Sequence, residues 1–289
     1  VEAWKAMKLQ KHHVVLVVMM LISGFVWTQM AIYVLHELFG FDPIGGIVQY
    51  CVTALNGQTL SQQMMVLGIH VLIAFSFGML LWSLYKQLVL AGRWNIYVKA
   101  ARHNRLSKQL NRKYRQYGQE IIVIRHNAVL ALTSGFIRPR IVVSSALLSE
   151  FSAREIEAIV LHECSHCRSY DPARMLIMKV MKDSLPYIPI LKRLSHYIEV
   201  WIELEADGYA VRQMQTRVDL ASVLLRFSRM SQRLPVGIGF VSDQAINYRM
   251  LRLIDPKKKI HVPLLKLMPL TISSFMMFIL SSIVASGCM

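Results

Sequence analysis

Three stretches of this chain, Val14 to Leu35, Met64 to Tyr85 and Leu267 to Met289, contain no Asp, Glu, Lys or Arg. As helices rising about 1.5 Å per residue, each is long enough to cross a hydrocarbon core of roughly 30 Å. A chain of 289 residues has room for one sizeable domain, or for a smaller one plus membrane segments. With 54% hydrophobic and 17% charged residues, the second arrangement is favoured. The expected spans cover about 14–38, 64–90 and part of 261–289. The first run is longer than the ~7–15 residues of a signal-peptide core and lacks a small-residue cleavage site, so it reads as a span. The chain begins with Val rather than Met, which leaves open whether a first span or other sequence precedes it.

The formal net charge is +16, and where the charges fall matters more than their sum. Lys and Arg crowd Arg93 to Arg115 and return at Arg138, Arg140 and Lys257 to Lys259, whereas Leu38 to Gln63 has none. That asymmetry is the positive-inside pattern of a membrane protein rather than a nucleic-acid footprint. It places Lys5, Lys8 and Lys11 inside, and the turn-rich loop with Asp42-Pro43, Gly45-Gly46 and Asn56-Gly57 outside. The C-terminus then lies outside too. The cysteines, Cys51, Cys164, Cys167 and Cys288, make no disulfide framework in a chain of this length.

The chemistry concentrates in His162-Glu-Cys-Ser-His166, an H-E-x-x-H. On a helix, two imidazoles four residues apart share a face and can bind one zinc ion, and the adjacent Glu163 is the general base of such sites. Cys164 and Cys167 point off that face and read as packing residues. Two partial matches are decoys: His36-Glu37 has Gly40 where a second His is needed, and Ser83-x-x-Lys86 lacks its S-D-N and K-T-G partners. Ser152-Ala-Arg-Glu155 is a capping box that opens the zinc helix, and Asp171-Pro172 closes it, giving a helix from about 153 to 170. Its charges are too many for lipid, so the site lies outside the bilayer core.

Before that helix, Glu120 to Arg125, Ala128 to Thr133 and Ile141 to Val143 are short β-branched runs that read as a small sheet. The sheet either lends an edge strand to a peptide or only packs beneath the helix. Trp94 to Tyr117 reads as polar, basic and helical. Met175 to Leu191 reads as an amphipathic helix that faces a core or lies on the inner membrane surface. In the helix from Ser195 to Gln213, Glu203 and Asp207 share a face among Trp201, Ala206 and Ala210, which favours a third zinc ligand over a solvated face. After the Pro235 and Gly237 to Gly239 turn, Arg249 and Arg252 sit among apolar residues.

From Gly135 to Leu253 the chain resembles the integral-membrane zinc metallopeptidases of gluzincin type, and among them the BlaR/MecR family of antibiotic-sensing receptors. The resemblance is carried by Gly135-Phe-Ile-Arg-Pro-Arg-Ile-Val-Val-Ser, His162-Glu-Cys-Ser-His166 with Asp171, Glu203-Leu-Glu-Ala-Asp207 and Arg249-Met-Leu-Arg-Leu. HtpX-like and CAAX-prenyl endopeptidases share this order of motifs. The resemblance implies one zinc ion held by His162, His166 and Glu203, with Glu163 as base and Asp207 and Asp171 orienting the imidazoles. Those receptors have four spans and an extracellular penicillin-binding sensor after the last, whereas this chain shows three spans and stops there.

The expected fold is a mainly α membrane protein: three transmembrane helices plus a cytoplasmic α+β zincin-like domain with a small sheet. Residues 1–91 form the N-terminal membrane region, 92–260 the metallopeptidase domain and 261–289 the last span. The expected activity is that of a multi-pass bacterial membrane endopeptidase. It acts in signalling, as a regulator resembling those of antibiotic resistance, and cuts a cytoplasmic repressor or itself. Membrane-protein quality control and a non-proteolytic zinc scaffold are the rival readings. Expected partners are a protein substrate and the lipid bilayer, without nucleic acid, and a homo-oligomer is compatible. His196, Tyr209 and Arg249 are candidates for steadying the oxyanion or the substrate.

Overall fold

The computed structural model describes residues 2–39, 60–231, 243–264 and 266–286. The expected outer loop, Cys51, Cys288 and the Pro235 to Gly239 turn lie outside the described residues. Two compact units emerge: residues 1–86, 178–198 and 263–289 form one, and 87–177 with 199–262 the other.

The first unit holds α1 (Glu2–Phe39), most of α2 (Leu60–Ala101) and α10 (Leu267–Ser286). Among the described residues, two helices are long and apolar enough to cross a membrane, His12–Leu35 in α1 and Leu67–Ala101 in α2. Where three spans were expected, the described residues give two candidates, and the apolar helical stretch described within α10, Leu267–Phe278, is shorter than either. Trp27 meets Phe77 edge to face, with ring centroids 4.9 Å apart, which ties α1 to α2. Two buried serine hydroxyls in this apolar surrounding have partners. Ser76 Oγ donates to Leu72 O at 2.8 Å and lies 2.9 Å from Tyr187 OH, and Ser273 Oγ accepts from Ile190 N–H at 3.0 Å. Large apolar side chains such as Leu21 (65% exposed), Leu81 (64%) and Phe275 (63%) face outward. Water disfavours such a surface.

α2 does not stop where its apolar run ends. With no Pro to break it, the helix continues through Trp94 to Ala101, and the break comes at Arg102-His103, where the His103 side chain caps α3 (Asn104–Lys113). The polar residues of α3 are structural. Ser107 Oγ accepts from Val123 N–H and Asn111 Oδ1 from Ile121 N–H, both at 2.9 Å, fastening the helix to the first strand.

That strand, β1 (Ile121–Ile124), pairs in parallel with β3 (Arg140–Ser144), and β2 (Ala131–Ser134) pairs antiparallel with β3 on the other side. The spatial order is therefore β1-β3-β2. Alternation along β1 sends Ile121 and Val123 to one face and Ile122 and Ile124 to the other, and both faces are covered. Val98 from the end of α2 packs on one face, and Ile156, Ile159, Val160 and Cys164 from α5 (Ala153–Arg168) pack on the other. Between β2 and β3, Gly135 takes φ +103°, and a Cβ there would sit 2.7 Å from Arg138 O. Gly135→Ala is expected to cost about 1–3 kcal/mol through backbone strain. Thermal melting of the full-length chain in detergent reads this, and an unchanged midpoint would contradict it.

The capping box of α5 forms as a reciprocal pair: Ser152 Oγ accepts from Glu155 N–H, and Glu155 Oε2 accepts from Ser152 N–H. α5 follows the short α4 (Ser145–Glu150). Glu155 also takes the Ser222 hydroxyl at 2.7 Å and faces Arg226 on α8 (Val218–Ser231). Burial raises the pKa of Glu155, but the Ser152 N–H, Ser222 and Arg226 outweigh it and hold the carboxyl below its usual range. A depressed folded-state pKa contributes stability that is present above the unfolded value and lost as pH falls through the folded one. Glu155→Gln should therefore flatten the fall in melting temperature below the ordinary value of 4.5. An acid limb of unchanged slope would show that the pair anchors nothing.

α6 (Asp171–Ser184) follows after Tyr170, which takes φ +53°. Pro186 and Pro189 break the helical run, and α7 (Pro189–Met214) starts on the second of them, a first-turn position where the missing N–H costs nothing. α9 (Asp243–Ile254) completes the second unit.

Candidate metal centre

The site is assembled from residues on α5, α6, α7 and α9 that all belong to the second unit. α5 supplies His162 and His166 one turn apart, and its fully buried middle turns hold both rings in place. Their Nε2 atoms are 3.0 Å apart. α7 brings Glu203, with Oε2 3.5 Å from His162 Nε2 and Oε1 3.7 Å from His166 Nε2. One ligand atom from each of the three lies within 4.8 Å of the others.

The far side of each imidazole faces a carboxylate. His162 Nδ1 is 2.9 Å from Asp207 Oδ1, and His166 Nδ1 is 2.9 Å from Asp171 Oδ2. An Nδ1–H donated to a carboxylate leaves Nε2 as the lone-pair nitrogen. Two such lone pairs facing each other at 3.0 Å beside a carboxylate oxygen repel unless a metal ion or a proton sits among them. The donor set therefore fits a metal ion, and two imidazoles with one carboxylate are the ligands of an open zinc site.

Arg249 on α9 is 4% exposed and gathers the acidic groups. Its Nε and Nη2 donate to Asp207 Oδ2 and Oδ1 at 2.8 and 2.7 Å, and Nη1 lies 2.7 Å from Glu203 Oε2. Burial alone would raise the pKa of Glu203 and Asp207, yet the guanidinium holds both well below the usual carboxylate range. For His162, burial and Arg249 act downward, but the bonds to Asp207 and Glu203 prevail and raise its pKa to about 9. Arg174 braces Asp171 at 3.2 Å.

Glu163 is 1% exposed, and that burial pushes its pKa up. Its Oε2 accepts the Thr133 hydroxyl at 2.8 Å. A cleft lined by Ala131, Ile159, Leu220, Val223, Leu224 and Phe227 opens beside Glu163 and Arg249.

The structure thus brings together His162, His166, Glu203, Glu163, Asp171, Asp207 and Arg249. It does not bring in Tyr209, whose hydroxyl accepts from Arg168 Nη1 at 2.9 Å; His196 belongs to the first unit. Cys164 and Cys167 are free thiols buried in the core between α5 and the sheet, and burial drives the Cys167 thiol up to about 12. Thr133 and Arg174 escape a reading of the sequence. A lone Thr in a strand and a lone Arg in a helix carry no spacing signal, and their partners are fixed only by packing.

The family described as BlaR1 peptidase M56 matches residues 15–251. The regulatory protein BlaR1 of Bacillus licheniformis is 26% identical over 121 residues, which are 41% of this chain and 20% of that protein. The chain thus spans about a fifth of the length of that relative.

Proposed function

The chain belongs to the BlaR1 peptidase M56 family, and from that premise we propose that it is a membrane-bound zinc endopeptidase that cuts a regulatory protein or itself. The observation that carries this reading is the grouping of two imidazole nitrogens and one carboxylate within 4.8 Å, with the carboxylate of Glu163 on the adjoining residue. His162, His166 and Glu203 would hold the ion. When bound, zinc supplies a Lewis acid that makes water acidic near neutral pH and polarises a peptide carbonyl.

The remaining work falls to the chain. Glu163 takes the proton of the attacking water as the new C–O bond forms, then gives it to the amide nitrogen as the C–N bond breaks. Asp207 and Asp171 keep both rings in the tautomer that offers Nε2. Arg249 neutralises Glu203 and Asp207, so two carboxylates stay ionised in a buried site. In this reading Arg249 and Tyr209 are occupied by other side chains, and neither carries the oxyanion. The apolar helices α1 and α2 anchor the chain in a lipid bilayer, and the basic segment after α2 favours a site at the cytoplasmic face. A transcriptional repressor in the same compartment is the favoured class of substrate.

The test is to express the chain in membranes beside Glu163→Ala, together with a repressor encoded next to it. Fragments of either protein are then mapped by mass spectrometry. Fragments that appear only with Glu163 present support the reading, and the same fragments from both forms would overturn it.

A further inference from the structure

We propose that Thr133 is the positioning residue for Glu163, fixing the carboxylate in the pose from which it moves the proton; the inference rests on the protease reading above. Thr133 lies on β2, in register with Ile141 of β3, and its Oγ1 reaches across to α5. That oxygen is 2.8 Å from Glu163 Oε2 and 3.0 Å from the Glu163 carbonyl oxygen. The Cys167 thiol, one turn further along α5, donates to the same oxygen at 3.7 Å.

A hydroxyl has one proton and two lone pairs, so its proton goes to one acceptor only. The Glu163 carbonyl already has a helical partner, the N–H four residues on, in the interior of α5. The carboxylate has no such partner and is almost fully withdrawn from water, at 1% exposure. A bond to an ionised acceptor is also the stronger of the two. The Thr133 proton therefore belongs to Oε2, and the Cys167 S–H occupies a lone pair behind it. This arrangement fixes Oε2 and leaves Oε1 as the atom that takes the proton.

The residue type suits the task. Threonine is stiff about χ1, and β2 is held on one side by its ladder to β3 and on the other by α5, so the hydroxyl cannot drift. A base held in one pose spends less of its time in orientations that cannot react. None of this involves the metal ligands directly. Loss of the hydroxyl should slow proton transfer without changing which ion binds.

The experiment uses the full-length chain in lipid nanodiscs with fluorescein-labelled casein as substrate, comparing wild type with Thr133→Val, Thr133→Ala, Thr133→Ser and Glu163→Gln. Thr133→Val and Thr133→Ala should each lower kcat by tenfold or more, with KM within twofold and zinc content unchanged. Thr133→Ser, which keeps the donor, should recover most of kcat. A readout independent of turnover is the infrared carboxylate stretch of Glu163, assigned by difference from Glu163→Gln; it should shift in the Val and Ala variants and not in Ser. Wild-type kcat with an unshifted band in both donorless variants would overturn the inference alone. So would a Ser variant as slow as Val, with both melting lower, since that marks a packing role. If wild type cuts casein no faster than Glu163→Gln, the protease reading falls and the role of Thr133 falls with it.

Discussion

Glu163→Gln is expected to lower peptide-bond cleavage by a factor of 10²–10⁴, the range for loss of a positioned general base, while zinc content stays at the wild-type level. The substitution keeps the length of the side chain and an oxygen that still accepts the Thr133 hydroxyl, so packing around the buried middle of α5 is retained. What it removes is the capacity to take a proton from water. The amide cannot do this near neutral pH, and Thr133, at 2.8 Å, is a donor in this bond and no substitute. Zinc is measured by inductively coupled plasma spectrometry on the purified protein, and cleavage on the same sample. Loss of zinc together with activity would make Glu163 a structural element of the site. Unchanged cleavage would remove it from the chemistry.

The second large effect is expected at Arg249. Arg249→Met leaves Asp207, which is buried, and Glu203, which is half-buried, without the guanidinium that holds both ionised. Breaking a buried ion pair by removing one partner costs about 3–5 kcal/mol, because the other charge stays behind in a poorly solvated place. For a protein of this size that corresponds to a fall in melting temperature on the order of 10 °C. The loss should be largest in a chelator and smaller with excess zinc, since a bound cation takes over part of the compensation. Arg249→Met combined with Asp207→Asn should recover part of the loss, a coupling that a double-mutant cycle measures. Equal melting of Arg249→Met and wild type in chelator would mean that the guanidinium neutralises nothing. Arg249→Lys should fall in between, because a lysine cannot make the two parallel bonds to Asp207.

What the sequence discloses about this centre is what is local. The spacing of His162 and His166 and the capping box at Ser152 are each contained within one helix, and they specify α5 without reference to the rest of the chain. Glu203 is legible because an i, i+4 carboxylate pair among apolar neighbours is unusual for a solvated helix face. The strands are legible from their β-branched runs, but the order β1-β3-β2 is not, because it depends on which edge each strand takes after the chain turns. Arg249 stands out in the sequence, yet its partners are 42 residues away in the case of Asp207, and nothing in the spacing selects them. The end of α2 is hidden for a related reason: the charge at Arg93 looks like a boundary, but helix propensity runs on to Ala101.

The late position of Arg249 also bears on how the protein is made. A ribosome delivers α5 first, then Glu203 and Asp207 on α7, and Arg249 only 42 residues after Asp207. At roughly 5–20 residues per second, that interval is about 2–8 seconds. During this interval the nascent chain holds the imidazoles and both acids without the side chain that neutralises them. The last helix to be synthesised in the second unit is thus the one that lets the centre close, so a chain stalled before α9 cannot complete it.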